Sequence, residues 1–271
     1  MKLEIYKALW GMTGALESQL DRIAEAGYDG IEAPLPESPV SFRRAVEARG
    51  LKYIAMLFAD DASVLDAGVD AARECGAVQL TVHSGRDRMT FDEGSAFFER
   101  ALEVEEASGL RMCHETHRGR ILFNPWTTVA YLRRFPSLKI VADFSHFTCV
   151  CERLLDVDDP DLKAAYPQTY HTHGRVGYDQ GPQVPDPRAP EFAAFVDRFD
   201  AYWDEIRSAH IDRGESVMTF CPEFGPPGYM HTLPYTQQPV ADLWDICLWM
   251  ARRTRERWSS GPPLLGRRGT V

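Results

Sequence analysis

Apolar positions along the chain recur at two spacings in turn. Short runs rich in Val, Ile, Leu and Tyr alternate with longer stretches that carry the three- and four-residue spacing of a helix. Strands are predicted over 3–10, 30–35, 52–58, 78–83, 111–115, 138–143, 169–175 and 217–223. Helices are predicted over 16–26, 41–49, 62–75, 91–108, 125–135, 160–165, 191–211 and 240–258, with a further helical stretch around 151–155. In the first helix Leu16, Leu20, Ile23 and Ala24 share one face. Gly27, Gly50, Gly76 and Gly109 each follow a predicted helix, where a residue free to adopt positive φ closes the last turn. Pro125 opens another, at a position where its missing N–H has no helical partner to lose.

Eight short apolar strands separated by helices call for a parallel sheet covered on both faces. A single α/β barrel, the (β/α)8 TIM barrel, achieves this without leaving an edge strand. The competing arrangement is an open doubly wound sheet, but the segment after the first strand, GMTGALES, lacks the Gly-x-Gly-x-x-Gly phosphate turn. The barrel is expected over 1–258, and 259–271 (SSGPPLLGRRGTV) reads as a flexible tail or the arm of a homo-oligomer. The Pro-rich stretch 181–190 reads as a lid.

Length and composition agree with this picture. The 271 residues suit one barrel of ~250. Hydrophobic residues at 44% and charged residues at 26% exclude dominant disorder. No apolar run approaches the ~18 residues of a membrane span. With 40 acidic against 30 basic residues the net charge is −10, which argues against general binding to a nucleic-acid backbone. The start, Met-Lys-Leu-Glu-Ile-Tyr, leads into a strand and lacks a signal-peptide pattern. Six cysteines without a Cys-x-x-Cys pair read as reduced thiols, so a cytoplasmic location is expected.

In a β/α barrel, chemistry collects where strands end. The predicted strand ends carry Glu32 in GIEAPL, His83 in TVHSGRD, Glu115 in MCHETHRGR, Asp143 in IVADFSH, His171 and His173 in YHTHGR, and Glu223 in FCPEFG. A charge at the end of an apolar strand is costly unless paired or coordinated. Glu115, Asp143, one strand-seven histidine and Glu223 offer three carboxylates and one imidazole. That donor set suits Mn²⁺, Mg²⁺ or Co²⁺, with Zn²⁺ also within its range. Cys113 and Cys221, two residues earlier, would fill a deeper layer on the same face.

Each residue also has a plainer reading. Glu115 could pair with Arg118 or Arg175, Asp143 could cap the next helix, a strand-seven histidine could be a satisfied interior group, and Glu223 could simply start a loop after Pro222. The joint pattern carries the inference. Around it, His83, Arg86, His117, Arg118 and Arg120 could form a positive rim for an anionic group, or pair with surface acids. Trp10, Phe144, Trp126, Tyr178 and Tyr229 are candidates for an apolar wall, or for core. Trp10, His83, His117 and Arg118 are taken as the substrate-binding set.

The segments YDGIEAPL, CHETH, ADFSH, HTHGR and PEFG, in this order, resemble the xylose-isomerase-like superfamily. The pattern is most similar to its sugar isomerase and epimerase branch, such as ketose 3-epimerases and hydroxypyruvate isomerases, and spans residues 1–255. The resemblance implies one divalent ion, Mn²⁺ first, on Glu115, Asp143, His173 and Glu223. His173 is preferred to His171 because it lies nearer the strand's end. Arg175 follows His173 by two residues, closer than in the epimerases. The resemblance further implies a small carbohydrate or carbohydrate-derived substrate, isomerised or epimerised through an enediolate. Glu115 and Glu223 would be its acid and base, and His146 and Arg175 would donate to the substrate oxygens.

The same site could serve a lyase or dehydratase, for example β-elimination on an oxidised glycoside. An abasic-site endonuclease is disfavoured. MLFAD brings no histidine to the end of strand three, Asp179 has none two residues on, and the chain is acidic. A non-catalytic barrel would be expected to have lost a ligand, and none is missing.

Overall fold

Every strand runs parallel to the next, and the last returns to the first to close an eight-stranded barrel. The computed structural model describes residues 1–259. The strands are β1 (Lys2–Ala8), β2 (Gly30–Pro34), β3 (Lys52–Ala59), β4 (Gln79–Ser84), β5 (Met112–Glu115), β6 (Lys139–Ala142), β7 (Thr169–His173) and β8 (Val217–Cys221). The helices are α1 (Leu16–Glu25), α2 (Pro39–Glu47), α3 (Leu65–Glu74), α4 (Phe91–Ser108), α5 (Pro125–Arg134), α6 (Phe144–Val150), α7 (Pro160–Ala165), α8 (Ala193–Asp212) and α9 (Leu243–Ser259). The expected tail lies outside the described residues except for Ser259, which ends α9.

Local chemistry accounts for several boundaries. Thr90 and Glu93 form a reciprocal capping box at the start of α4, and Gly109, at φ 68°, closes its end in the left-handed conformation. Asn124 caps α5 by accepting from Thr127 N, with Pro125 in the first turn. One predicted element is displaced. The helix expected around 151–155 lies at 144–150, because Asp143 accepts from Ser145 N and starts it directly after β6.

Strand alternation divides the core in two. Outward residues such as Ile5, Ile31, Tyr53, Leu80 and Phe220 pack beneath the helices in one continuous cluster. Inside the barrel Tyr6, Ala8, Ile54 and Cys221 form a small separate one. The rest of the interior is polar. Glu4 accepts from Lys2, Lys52 and Tyr6 low in the barrel. Glu32, Thr81 and His171 occupy the middle, with no exposed surface. An irregularity between β6 and β7 leaves Tyr170 unpaired while Thr169 faces Ile140 and His171 faces Val141. This bulge turns His171 and His173 inward together.

The Pro-rich segment after β7 is packed down. Gln183 bonds the Gly225 backbone through both ends of its amide, and Val184 N donates to Val176 O. All six cysteines are free thiols. Among the described residues no helix is long and apolar enough to cross a membrane.

His114 shows what the outer layer demands of a polar group. Its ring lies edge-on to Phe98 at 5.1 Å, with Nδ1 2.6 Å from Ser84 Oγ. Burial pushes its pKa down to about 3. The folded state holds this ring neutral where the unfolded chain would protonate it. Its contribution is therefore complete above the ordinary histidine range and is lost as pH falls towards about 3. Wild type should exceed His114→Gln in unfolding free energy at pH 7, and the gap should narrow by up to ~1.4 kcal/mol per pH unit below ~6.5. Denaturant titrations at stepped pH check this, and a gap independent of pH would contradict it.

Candidate metal centre

Parallel strands that close a barrel bring their last residues to one rim, so side chains distant in sequence meet there. Glu115 ends β5 and His173 ends β7, while Asp143 and Glu223 follow β6 and β8. One ligand-type atom from each of these four lies within 4.8 Å of the other three. All four side chains are buried. His173 Nδ1 is 3.1 Å from Glu115 Oε1 and 3.0 Å from Glu223 Oε2. His171, a layer deeper on the same face, stays out of this group. Its Nδ1 meets Thr219 Oγ1 at 2.7 Å and its Nε2 meets Glu32 Oε2 at 3.1 Å.

Glu32 supports the cluster from below. It accepts from Thr81 Oγ1 at 2.6 Å, and His173 Nε2 lies 3.2 Å from both of its oxygens. Burial alone would raise its pKa, but His173 and His171 outweigh that and hold it well below the carboxylate range. An imidazole whose Nε2–H faces a carboxylate presents Nδ1 on its other side, here towards Glu115 and Glu223.

Asp143 performs the capping role as well. Its Oδ1 accepts from Ser145 N at 3.1 Å, and its Oδ2 is bonded by Arg175 Nη2. The same Nη2 reaches Glu223 Oε2 at 3.1 Å and His146 Nε2 at 3.3 Å. Arg175 is thus an internal counter-charge, and only Nη1, buried and without a partner, is left to face a ligand. Burial opposes its charge, but Asp143 and Glu223 keep its pKa raised. For His146, burial, reinforced by His117 and Arg175, pushes the pKa well below the ordinary value. The ring is neutral, with Nδ1 unpartnered.

The donor set fits a divalent cation. Three buried carboxylates converge around one imidazole nitrogen, where like charges repel unless a cation joins them. Burial disfavours a charged His173, yet Glu223, Glu32 and Glu115 raise its pKa well above the ordinary value. Burial would likewise raise Glu115, but His83, His117 and His173 hold it well below the carboxylate range. Glu115 Oε2 has no hydrogen bond, because His83 Nδ1, 2.9 Å away, is poorly aligned with it. A buried carboxylate oxygen in that state is a free donor position. These residues could hold a metal ion with hard, oxygen-rich preferences.

A cavity of about 560 Å³ opens above the cluster, and Glu115, Glu223, Arg175, His83, His117 and Trp10 are among the residues lining it. Trp10 meets Tyr229 edge-on at 5.0 Å, and both line the cavity. His117 differs from the expected positive rim. Burial, stronger than the pull of Glu115, pushes its pKa down to about 4, so it is uncharged near neutrality. Arg118 does not line the cavity. Its guanidinium lies 4.9 Å from the centre of the Tyr229 ring. Arg86 and Arg120 both pair with Asp60, as the plainer reading of surface arginines has it. Phe144 packs against Phe147 in the core, Trp126 is exposed on α5, and Tyr178 packs against Phe192, so none of the three forms a cavity wall. Ser145, Thr81 and Phe58 escaped the sequence reading. Strand alternation places Phe58 on the inner face with Ile54 and Met56, and that register was the available signal.

A closed α/β barrel with acids and a histidine gathered at its strand ends could hold a metal there, and sequence comparison narrows the class. The family profile of the xylose isomerase-like TIM barrel matches residues 20–179, and the chain belongs to that family. Comparison with curated protein sequences gives no match. Among solved structures, a probable 3-DHS dehydratase, AsbF, from Bacillus anthracis is 15% identical, with 94% of this chain and 99% of that one covered at TM-score 0.61. An AP endonuclease, family 2, from Brucella melitensis is 15% identical over 92% and 98% at TM-score 0.59. A sugar phosphate isomerase/epimerase from Parabacteroides distasonis ATCC 8503 is 12% identical over 98% of each chain at TM-score 0.58. Likeness at such identities carries the fold alone.

If Glu32 orients His173 towards a bound ion, removing its charge weakens the site without touching a ligand. Glu32→Gln is expected to lower affinity for Mn²⁺ by ~10–100-fold in calorimetric titration, with the circular dichroism unchanged. Undiminished affinity would show that His173 needs no such partner.

Proposed function

We propose that the protein is a divalent-metal-dependent isomerase or epimerase of a sugar or sugar derivative, working by proton abstraction next to a carbonyl. The observation that supports it best is the convergence of two carboxylates on His173 Nδ1, Glu115 at 3.1 Å and Glu223 at 3.0 Å. Glu115, Asp143, His173 and Glu223 would hold the ion, Mn²⁺ first, with Mg²⁺, Co²⁺ and Zn²⁺ within the range of the donors. When bound, such an ion supplies Lewis acidity to a carbonyl oxygen and its neighbouring hydroxyl.

The chain's own groups do the rest. Glu115, held ionised, accepts the proton from the carbon beside the carbonyl. Glu223, the second carboxylate at His173 Nδ1, returns a proton to the other face or to the adjacent carbon. The unpartnered Nη1 of Arg175, which lines the cavity, faces negative charge as it develops on the substrate oxygens, while His146, which does not line it, lies 3.3 Å from Arg175 Nη2 through Nε2. Trp10, Tyr229 and the His83–His117 pair enclose the substrate and exclude water. Six free thiols fit a reducing, cytoplasmic setting.

A second reading rests on one contact. The Tyr229 hydroxyl lies 3.3 Å from His117 Nε2 at the cavity wall. A phenol so placed could protonate a group leaving from the carbon beyond the abstraction site, which would make the protein a lyase or dehydratase.

Incubating the Mn²⁺-loaded protein in D₂O with a panel of ketoses and 3-keto glycosides separates these outcomes. The proposal expects deuterium at one carbon adjacent to the carbonyl in an epimer or isomer. Glu115→Gln and Glu223→Gln should each slow incorporation by ~10²-fold or more. Deuterium accompanied by loss of a substituent would assign the lyase. No incorporation by a metal-loaded protein would contradict both.

A further inference from the structure

The cavity over the metal-binding cluster has two unlike sides, and this asymmetry bears on what the substrate looks like. Strands β5 to β8 supply its ionic side. Strands β1 to β3 supply the other, with Leu9, Trp10, Pro34, Met56 and Phe58. Among the described residues lining the cavity there is no Asn, Gln, Ser, Thr, Asp or Lys. The single arginine, Arg175, already gives Nη2 to Asp143 and Glu223. A polyol chain lying across this side would find one donor at most, the Trp10 indole N–H, for its several hydroxyls, and a phosphate would find no free cation.

Phe58 is the telling residue. Ile54, Met56 and Phe58 alternate onto the inner face of β3, and the first two are buried while Phe58, at the rim, is 53% exposed. It is nevertheless held in place. Its ring stacks on His83 with centroids 4.4 Å apart and planes 22° from parallel, and the Arg120 guanidinium lies 5.9 Å from it. Arg120 is in turn fixed by Asp60 at 2.7 Å. Trp10, 36% exposed, is fixed edge-on to Tyr229. Two ordered, partly exposed aromatic rings on one side of a cavity form a receptor for a flat apolar group. Only the His83 ring separates Phe58 from Glu115, since His83 Nδ1 is 2.9 Å from Glu115 Oε2. A ring seated beside Phe58 therefore shares one cavity with Glu115 and Glu223.

We propose that the substrate is a carbohydrate-derived α-hydroxycarbonyl compound carrying an aryl or similarly flat apolar group, which seats against Phe58 and Trp10. The polar head lies over Glu115 and Glu223, and the apolar group covers the β1–β3 side. This rests on the proposed metal-dependent reading of the same cluster and narrows its substrate class, excluding free sugars and sugar phosphates.

Hydroxamates test it, because they imitate a planar enediolate and chelate divalent ions through two oxygens. Calorimetry on the Mn²⁺-loaded full chain compares acetohydroxamate, erythronohydroxamate (a four-carbon polyol) and benzohydroxamate. Benzohydroxamate is expected to bind about 10-fold more tightly than either of the others. Phe58→Ala should erase most of that preference and Phe58→Leu about half of it, read as the ratio of benzohydroxamate to acetohydroxamate affinity. The ratio removes any general lipophilicity of the phenyl probe, and a half-exposed position tolerates both substitutions. Erythronohydroxamate binding as tightly as benzohydroxamate, or a ratio unmoved by Phe58→Ala, overturns this inference and leaves the metal reading standing. A chain that retains no Mn²⁺, or that retains it and binds none of the three, overturns the metal reading itself.

Discussion

A carboxylate on the axis of a closed barrel, with no exposed surface, must find its donors within the protein. Glu32 finds them in Thr81, His171 and His173. The arrangement of the mouth follows from that bond set. With Nε2 committed to Glu32, His173 directs Nδ1 upward between Glu115 and Glu223. With Nε2 also on Glu32, His171 is confined to the layer below. Removing one charge from this stack leaves its partner buried and unpaired, which is costlier than never having had the pair.

The charge balance above Glu32 gives the site its chemical character. Three carboxylates face one arginine and one imidazole, and Arg175 is shared between Asp143 and Glu223. The fields of Glu223, Glu32 and Glu115 draw a proton onto His173 against the cost of burial. The same fields favour a divalent cation in that place, where a proton must leave for the ion to bind. An acidic barrel mouth walled on its other side by Trp10, Met56 and Phe58 joins strong electrostatics to an apolar surface, and low local polarity strengthens every charge interaction within it.

Much of this was legible in the sequence because it is periodic or terminal. Alternation and helical spacing gave eight strands and the order of helices, and Gly109 marked the end of α4 at the residue where it stops. The polar groups at predicted strand ends are the groups that meet, because a parallel barrel has one rim for all of them. Position in sequence does not encode depth or partner. His171 and His173 have the same residue type and face, and only the third dimension separates them by a layer. Arg175 looked free for substrate and is largely engaged by Asp143 and Glu223, each 30 or more positions away along the chain. Arg118 lies against Tyr229, and Trp126 is on the outer surface of α5. Phe58 stands in the sequence only as the end of the third strand, because register shows which face a residue joins but not that its layer is the uncovered one.

The central claim is that Glu115, Asp143, His173 and Glu223 together bind one divalent ion through oxygen and a single imidazole nitrogen. Pulsed electron paramagnetic resonance of Mn²⁺-loaded protein reads the nuclei next to the ion directly. The account predicts one Mn²⁺ per chain with one directly bonded ¹⁴N, and loss of that coupling in His173→Gln but not in His171→Gln. Bound Mn²⁺ without a nitrogen coupling, or with one that vanishes only in His171→Gln, would contradict it.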